Sequence, residues 1–383
     1  MNGRKRYLFF FCIICAVFLV SCGKTQDTGG ALEDTDICPS LVYDGRMELD
    51  YAEEFAVDYY EGGYALMTVS DGSRFLVVPE NMPVPEALDA DIVVLQQPMD
   101  HIYLAATAVM DMFQSLDGLE TIRLSGTKAE NWYVEGAKAA MAQGDMLYAG
   151  KYNAPDYERI LSEGCRLAIE NTMIHHAPEV REKLESFGIP VLVDYSSYES
   201  HPLGRTEWVK FYGTLLGRTE EAQKTFHAQK KVLEEISGQE NTGKTVAYFY
   251  ITTNGAVNVR KSSDYVPKMI ELAGGKYIFG NLGDDGSRSS SLNMQMEEFY
   301  AQAKDADYLI YNSTIDGELQ TVDQLLGKCN FLKDFKAVKT GNVWCTSENF
   351  YQASMSLGTF ISDVHQMLLY GKEASTVYIY PLA

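Results

Sequence analysis

Cysteine is sparse in this chain, and none of the four residues beyond Cys22 forms a CxxC pair; Cys12 and Cys15 have that spacing but lie in the apolar N-terminal run. That excludes a zinc ribbon and a thioredoxin-type redox motif. Cations are the minority charge. Against 53 Asp and Glu stand 32 Lys and Arg, a net charge of −21, so the chain is a poor non-specific binder of nucleic acid. Charged residues make up 22% and hydrophobic ones 46%, which excludes a mainly disordered or coiled-coil protein. The sequence holds no P-loop, no dinucleotide-binding glycine fingerprint, no HExxH and no GxSxG. Of the six histidines, His175 and His176 are adjacent and diverge, so they make a poor paired metal site. No catalytic pair, metal centre or cofactor is expected.

What is present begins at the N-terminus. Residues 1–20 read MNGRKRYLFFFCIICAVFLV, three cations followed by an apolar run. As a helix that run would span about 21 Å, short of a ~30 Å hydrocarbon core. A secretory signal therefore fits better than a permanent span. Leu19-Val20-Ser21-Cys22-Gly23 follows at once. It resembles the bacterial lipoprotein box, in which small residues precede a Cys that is lipidated and becomes the new N-terminus. Residues 1–21 are thus expected to be a lipoprotein signal peptide. Cys22 would carry the lipid and hold the chain at the extracytoplasmic side of the cell membrane. Loss of three cations would leave 29 against 53, a charge of about −24. Cys12 and Cys15 would leave with the signal. Cys38, Cys165, Cys329 and Cys345 remain, and four cysteines allow three pairings.

The length suggests two or three domains, or one two-lobed body. Residues 22–50 are polar and read as a flexible tether. Residues 64–69 and 74–78 flank Ser70-Asp71-Gly72-Ser73, the pattern of a β-hairpin with an Asp-Gly turn. From Asp91, short apolar strands (92–95, 121–124, 167–169, 189–193) alternate with helical stretches (105–116, 155–162, 177–187). Such alternation means α/β with a mainly parallel sheet. Residues 205–236 interrupt it with two helices parted at Gly217. The second, residues 219–237, would be about 28 Å long. It is rich in Lys and Glu, as a helix bridging two bodies is. The alternation restarts at residue 246 and runs to the final helix, residues 355–370. The expected fold is two doubly wound α/β lobes, residues 51–204 and 238–383, joined through residues 205–237 by one long interlobe helix.

Four segments carry a family resemblance. Residues 154–161 with 165–169 (APDYERIL, CRLAI) look like "npdlEkil…PDLVI"; LESFGIPV at 184–191 looks like "LeklGIPVv". LGRTEEA at 216–222 looks like "lGreeeA", and LAGGKYIF at 272–279 looks like "lAGGkNif". Taken in order, they are similar to the class III solute-binding proteins of ABC importers, the iron-siderophore, haem and cobalamin group, over about residues 91–370. Arg166 departs from the acidic residue of PDLV, and an insertion separates Leu95 from Thr107. The resemblance implies a clamshell with the ligand between the lobes and a rigid helix limiting closure. It implies a monomer that performs no chemistry. Its partners would be a ferric-siderophore, haem or cobalamin ligand, the permease subunits, and the membrane through the N-terminal lipid. One carboxylate per lobe, Glu158 and Glu298, would dock on the permease. The alternative is a lipid-anchored hydrolase or sensor lipoprotein on the same fold.

Ligands of parallel α/β lobes bind beyond the carboxyl ends of strands. The loops expected there supply Trp132, Tyr133, Met173, His175, Tyr195 and Tyr198 in the first lobe. The second lobe supplies Arg260, Lys261 and Tyr265, in a loop before a helix, and Tyr351 before the last helix. Aromatic faces suit a macrocycle or catecholate, and the two cations suit an anionic complex.

Overall fold

The computed structural model describes residues 36–237, 241–282 and 289–383. The expected signal peptide and Cys22 lie outside the described residues, as does the first half of the expected tether.

Five strands form the first sheet in sequence order: β1 (Tyr43–Arg46), β2 (Phe55–Tyr60), β3 (Tyr64–Val69), β4 (Arg74–Val78) and β5 (Ile92–Gln96). The β3–β4 hairpin turns at Asp71-Gly72, where Gly72 has φ +88° and Val69 N–H donates to Ser73 O. Glycine meets that positive φ without steric cost. β5 lies parallel to β4. Residues 92–95 thus extend this meander rather than opening the alternating lobe, a correction to the expectation. A short, wholly apolar run fits either sheet, and its periodicity cannot choose between them.

Both faces of the meander are covered. On one, Phe55 meets Trp208 and Phe211 of the helix Pro202–Leu216, ring centroids 4.9 and 5.3 Å apart. On the other, Ile37 and Cys38 pack with Tyr60, Leu66, Leu76 and Val78. Residues 36–50 are therefore not tether: the chain before β2 buries the outer face of the sheet. Buried carboxylates fix the stretch that follows. Glu207 accepts the N–H groups of Asp50, Tyr51 and Ala52, and Glu199 accepts those of Glu53 and Glu54, all within 3.0 Å. Lys210 Nζ lies 2.6 Å from Glu207 and balances its charge. Charge-assisted bonds of this kind are the stronger class.

The second sheet is parallel throughout, in the order β12-β11-β6-β7-β8. Its strands are β6 (Ile102–Leu104), β7 (Ile122–Ser125), β8 (Leu147–Tyr148), β11 (Leu167–Asn171) and β12 (Val191–Asp194). A short hairpin, β9 (Gly150–Lys151) with β10 (Ala154–Pro155), follows β8. Helices α1 (Val109–Ser115), α2 (Glu135–Gln143), α3 (Tyr157–Ser162) and α4 (Pro178–Ser186) make the connections. The chain lays β6 first, runs outward to β7 and β8, then returns to the other side of β6 for β11 and β12. Strand order therefore reverses between β6 and β11.

Helices α5 (Pro202–Leu216) and α6 (Thr219–Ser237) meet at Gly217, φ +68°. Their corner is tight: a Cβ on Gly213 would lie 2.4 Å from Ala222 Cβ. α6 packs on α5 and on the last helix of the chain, Leu357–Tyr370. It leads to the third sheet, ordered β16-β14-β13-β17-β18-β19, with β15 beside β13. These strands are β13 (Thr245–Ile251), β14 (Val257–Arg260), β15 (Lys276–Tyr277), β16 (Ser291–Met294), β17 (Tyr308–Tyr311), β18 (Val343–Thr346) and β19 (Ile379–Pro381). β13, β17 and β18 run parallel, and β14, β16 and β19 run antiparallel to their neighbours. Helices α7 (Tyr265–Leu272), α8 (Met296–Ala303), α9 (Val322–Lys328), α10 (Lys336–Thr340) and α11 (Leu357–Tyr370) complete the lobe. Residues 257–260, expected as loop, are a strand. The two-lobed α/β architecture is present. Cys38, Cys165, Cys329 and Cys345 are all free thiols.

Candidate ligand cleft

The reversal between β6 and β11 is where a doubly wound sheet leaves a crevice beyond its carboxyl ends. A cavity of about 350 Å³ opens at that place. Ala105 follows β6, Gly126 and Lys128 follow β7, Tyr148 ends β8 and Asn171 ends β11; all line it, together with Lys151 on the small hairpin. Gly126 sits so close to Ala105 that a Cβ would lie 2.8 Å from its Cα, so glycine keeps this floor flat. Further along the same edge, beyond β12, lies a second cavity of about 240 Å³. Ser197, Tyr198 and Ser200 of the first lobe face Ser263, Tyr265 and Ser290 of the second across it.

Contacts between the lobes flank these cavities. Tyr133 Oη donates to Glu348 Oε2 at 2.6 Å, and Tyr133 N–H donates to Gln352 Oε1 at 2.7 Å. Gln352 Nε2 donates back to Asn131 O at 2.8 Å, and Asn131 also lines the larger cavity. The rings of Tyr133 and Tyr351 meet edge-on, centroids 6.0 Å apart. The hydrogen bond to Glu348 is the main cause that pushes the Tyr133 phenol up to about 12. Nearer α6, Ser354 Oγ donates to Ala108 O, and Met355 N–H donates to Asp111 Oδ2. The Arg205 guanidinium lies 4.0 Å from the centroid of the Tyr265 ring, a cation–π contact between lobes.

The candidate residues fall into distinct groups. Tyr198 and Tyr265 line the smaller cavity, and Tyr133 and Tyr351 bridge the lobes. Met173 and His175 are exposed in the turn after β11, and His175 Nε2 is 2.8 Å from Tyr195 Oη. Three expectations need correction. Trp132 is 1% exposed, with its Nε1–H bonded to Ser125 Oγ, so it is core. Tyr195 is 3% exposed and packs against Tyr198. Lys261 is 3% exposed and does not present a cation to the cleft. Strand alternation explains the last: residue 261 continues the inward face of Val257 and Val259. Arg260, on the other face, lies 3.7 Å from Asp264 and 3.4 Å from Ser290 Oγ. Burial opposes its charge, but the Asp264 carboxylate and nearby tyrosines outweigh this and raise its pKa. Glu158 and Glu298 are exposed in the first turns of α3 and α8.

Sequence reasoning missed Lys128 and Lys151 in the larger cavity, and Glu348 and Gln352 at the lobe contact. A Gly-Lys pair just beyond a strand was the available signal for Lys151.

The sequence model of the periplasmic binding protein family matches residues 106–349. The chain belongs to this family. An uncharacterized lipoprotein of Methanocaldococcus jannaschii is 26% identical over 345 residues, covering 86% of this chain and 81% of its own. Among solved structures, the periplasmic haem-binding protein HutB of Vibrio cholerae is similar with a TM-score of 0.58 at 16% identity, over 71% of this chain and 99% of its own. An ABC-type Fe3+-hydroxamate transport protein from Saccharomonospora viridis gives 0.55 at 17%, over 71% and 94%. The four segments that resemble class III solute-binding proteins therefore identify the family correctly. The family match begins beyond the meander, which ends at Gln96.

Proposed function

We propose that this family member is the extracytoplasmic substrate-binding component of an ABC importer, anchored through lipid on Cys22. It captures an iron complex (siderophore or haem) or cobalamin between its lobes and delivers it to the permease. The observation that carries this reading is the cavity at the strand-order reversal of the first lobe, facing the second lobe across Asn131 and Gln352. The haem-binding and hydroxamate-transport proteins that share the fold favour a metal-complex cargo. Glu158 and Glu298, one exposed carboxylate on each lobe, serve the permease contact. In this reading no bond is made or broken; binding and lobe closure do the work.

Thermal unfolding of the full chain in detergent, with haemin, ferric siderophores and cobalamin, tests the reading. Cargo at a hundred times its Kd stabilises the folded state by about 2.7 kcal/mol. A clear rise in Tm with one of these compounds is expected, and no rise with any of them defeats the reading.

A further inference from the structure

The only cations lining the larger cavity are Lys128 and Lys151, among the described residues. They come from different loops, and the fold fixes both loops from below. Lys151 sits on the two-residue hairpin after β8. Gly150 beside it has φ +85°, and a Cβ there would lie 2.4 Å from Ala154 O, so no other residue fits the turn. The fully buried Tyr103 donates its hydroxyl to Gly150 O at 3.0 Å, and Asp156 N–H closes the hairpin onto Ala149 O at 2.7 Å. Lys128 sits in the loop after β7. Ser125 Oγ donates to Thr127 O and accepts from Thr127 N–H and from the buried Trp132 Nε1–H. Trp132 is thus the pin of the loop, while Lys128 is what the loop presents.

Neither lysine is held in a buried ion pair. Lys128 Nζ pairs at 3.7 Å with Glu130, which also lines the cavity, but both side chains are more than half exposed, 54% and 67%, so water screens the pair. Lys151 is exposed and makes no ion pair among the described residues. In a chain of −21, two such cations at one crevice concentrate the attraction for an anion where the average field opposes it. Tyr148 lines the same cavity, its ring centroid 6.0 Å from Lys128 Nζ, and offers an aromatic face for a planar group. On the second-lobe side Arg260 is engaged with Asp264 and Lys261 is buried.

Resting on the import reading above, we infer that Lys128 and Lys151 are the anion contacts of the cargo. The cargo is an oxygen-rich anionic complex, with carboxylate or catecholate oxygens set over the aromatic floor. A neutral complex gains nothing from this pair. Recognition is therefore made by the first lobe, and the second lobe closes over it.

The test is titration of intrinsic fluorescence in the full chain with four probes. These are a ferric tricatecholate, haemin, a ferric trihydroxamate without net negative charge, and cyanocobalamin. Wild type should bind at least one of the two anionic probes more tightly than either neutral one. Lys128→Ala and Lys151→Ala should each weaken that anionic probe about tenfold, the loss of one charge-assisted contact. The double variant should lose about a hundredfold, and Lys→Arg at either position should retain binding within a few-fold. Unfolding curves that match wild type confirm that the folds are intact, as expected for exposed side chains. An anionic probe bound equally by wild type and the double variant overturns the assignment and leaves the import reading standing. So does a wild type that binds only a neutral probe. Failure to bind any of the four overturns the import reading, and the assignment with it.

Discussion

Tyr133 of the first lobe and Glu348 of the second are joined by a 2.6 Å hydrogen bond, with the phenol donating to the carboxylate. The bond closes a short circuit of contacts in which Gln352 ties the backbone on both sides of Trp132 to the second lobe. A contact made only when the lobes are together stabilises that arrangement by its own free energy. A hydrogen bond to a charged group contributes about 1.5–3 kcal/mol, and at this half-exposed site the low end applies. Tyr133→Phe should therefore raise cargo Kd by roughly tenfold or less and expand the unliganded protein in small-angle scattering. Unchanged affinity and an unchanged scattering profile would remove the latch role.

Glu158 and Glu298 are solvated carboxylates at helix starts, where the positive end of the helix already favours them. If they also dock the permease, Glu158→Lys with Glu298→Lys should abolish uptake and leave cargo Kd within a few-fold. Glu297 is adjacent and also exposed, so the triple reversal is the stricter variant. A large loss of affinity in the purified double variant places these residues in cargo binding and defeats the assignment.

The architecture was legible where signals were local. Gly217 and Thr219 mark the α5–α6 corner, and Asp71-Gly72 marks the hairpin, because turn and cap chemistry depend on a few neighbouring residues. Assignment of residues 92–95 to a sheet depends on distant partners, and sequence carries no such information. The site was less legible for the same reason. Residue type selects Trp132 and Tyr195 as flat surfaces but does not say which side of the backbone they face. Reading residues 257–260 as a strand would have turned Lys261 inward by alternation alone. The hairpin that carries Lys151 is held in part by Tyr103, nearly fifty positions earlier, a contact that local sequence does not reveal.

Lipidation is tested at Cys22. Cys22→Ala should lose incorporation of labelled fatty acid and accumulate as an unprocessed or soluble form. One acyl chain binds a membrane only marginally, so stable retention requires the multi-chain lipoprotein modification. Labelling that persists in the variant would show that the anchor lies elsewhere.

Glu170 gives the protein a measurable pH dependence. It lies on β11 with 0% exposure, and neither carboxyl oxygen has a hydrogen-bond partner among the described residues. Tyr103 on β6 and Tyr157 on α3 are the titratable groups electrostatically coupled to it, and neither is cationic. Burial alone pushes its pKa from 4.5 to about 8. The sign follows from proton counting. Between about pH 4.5 and 8 the folded state keeps this proton and the unfolded chain has lost it, so stability falls as pH rises. The contribution is complete below about 4.5 and is lost by about 8, beyond which both states are ionised. At 1.36 kcal/mol per pKa unit the full span is about 3–5 kcal/mol. Glu170→Gln removes the ionisation with little change in shape. Urea unfolding at pH 5 should place variant and wild type within about 1 kcal/mol, the scale of a single neutral hydrogen bond. At pH 8.5 the variant should be more stable, by up to the full span. A variant that is no more stable than wild type at pH 8.5 would show that Glu170 ionises freely in the folded lobe, and that water reaches it.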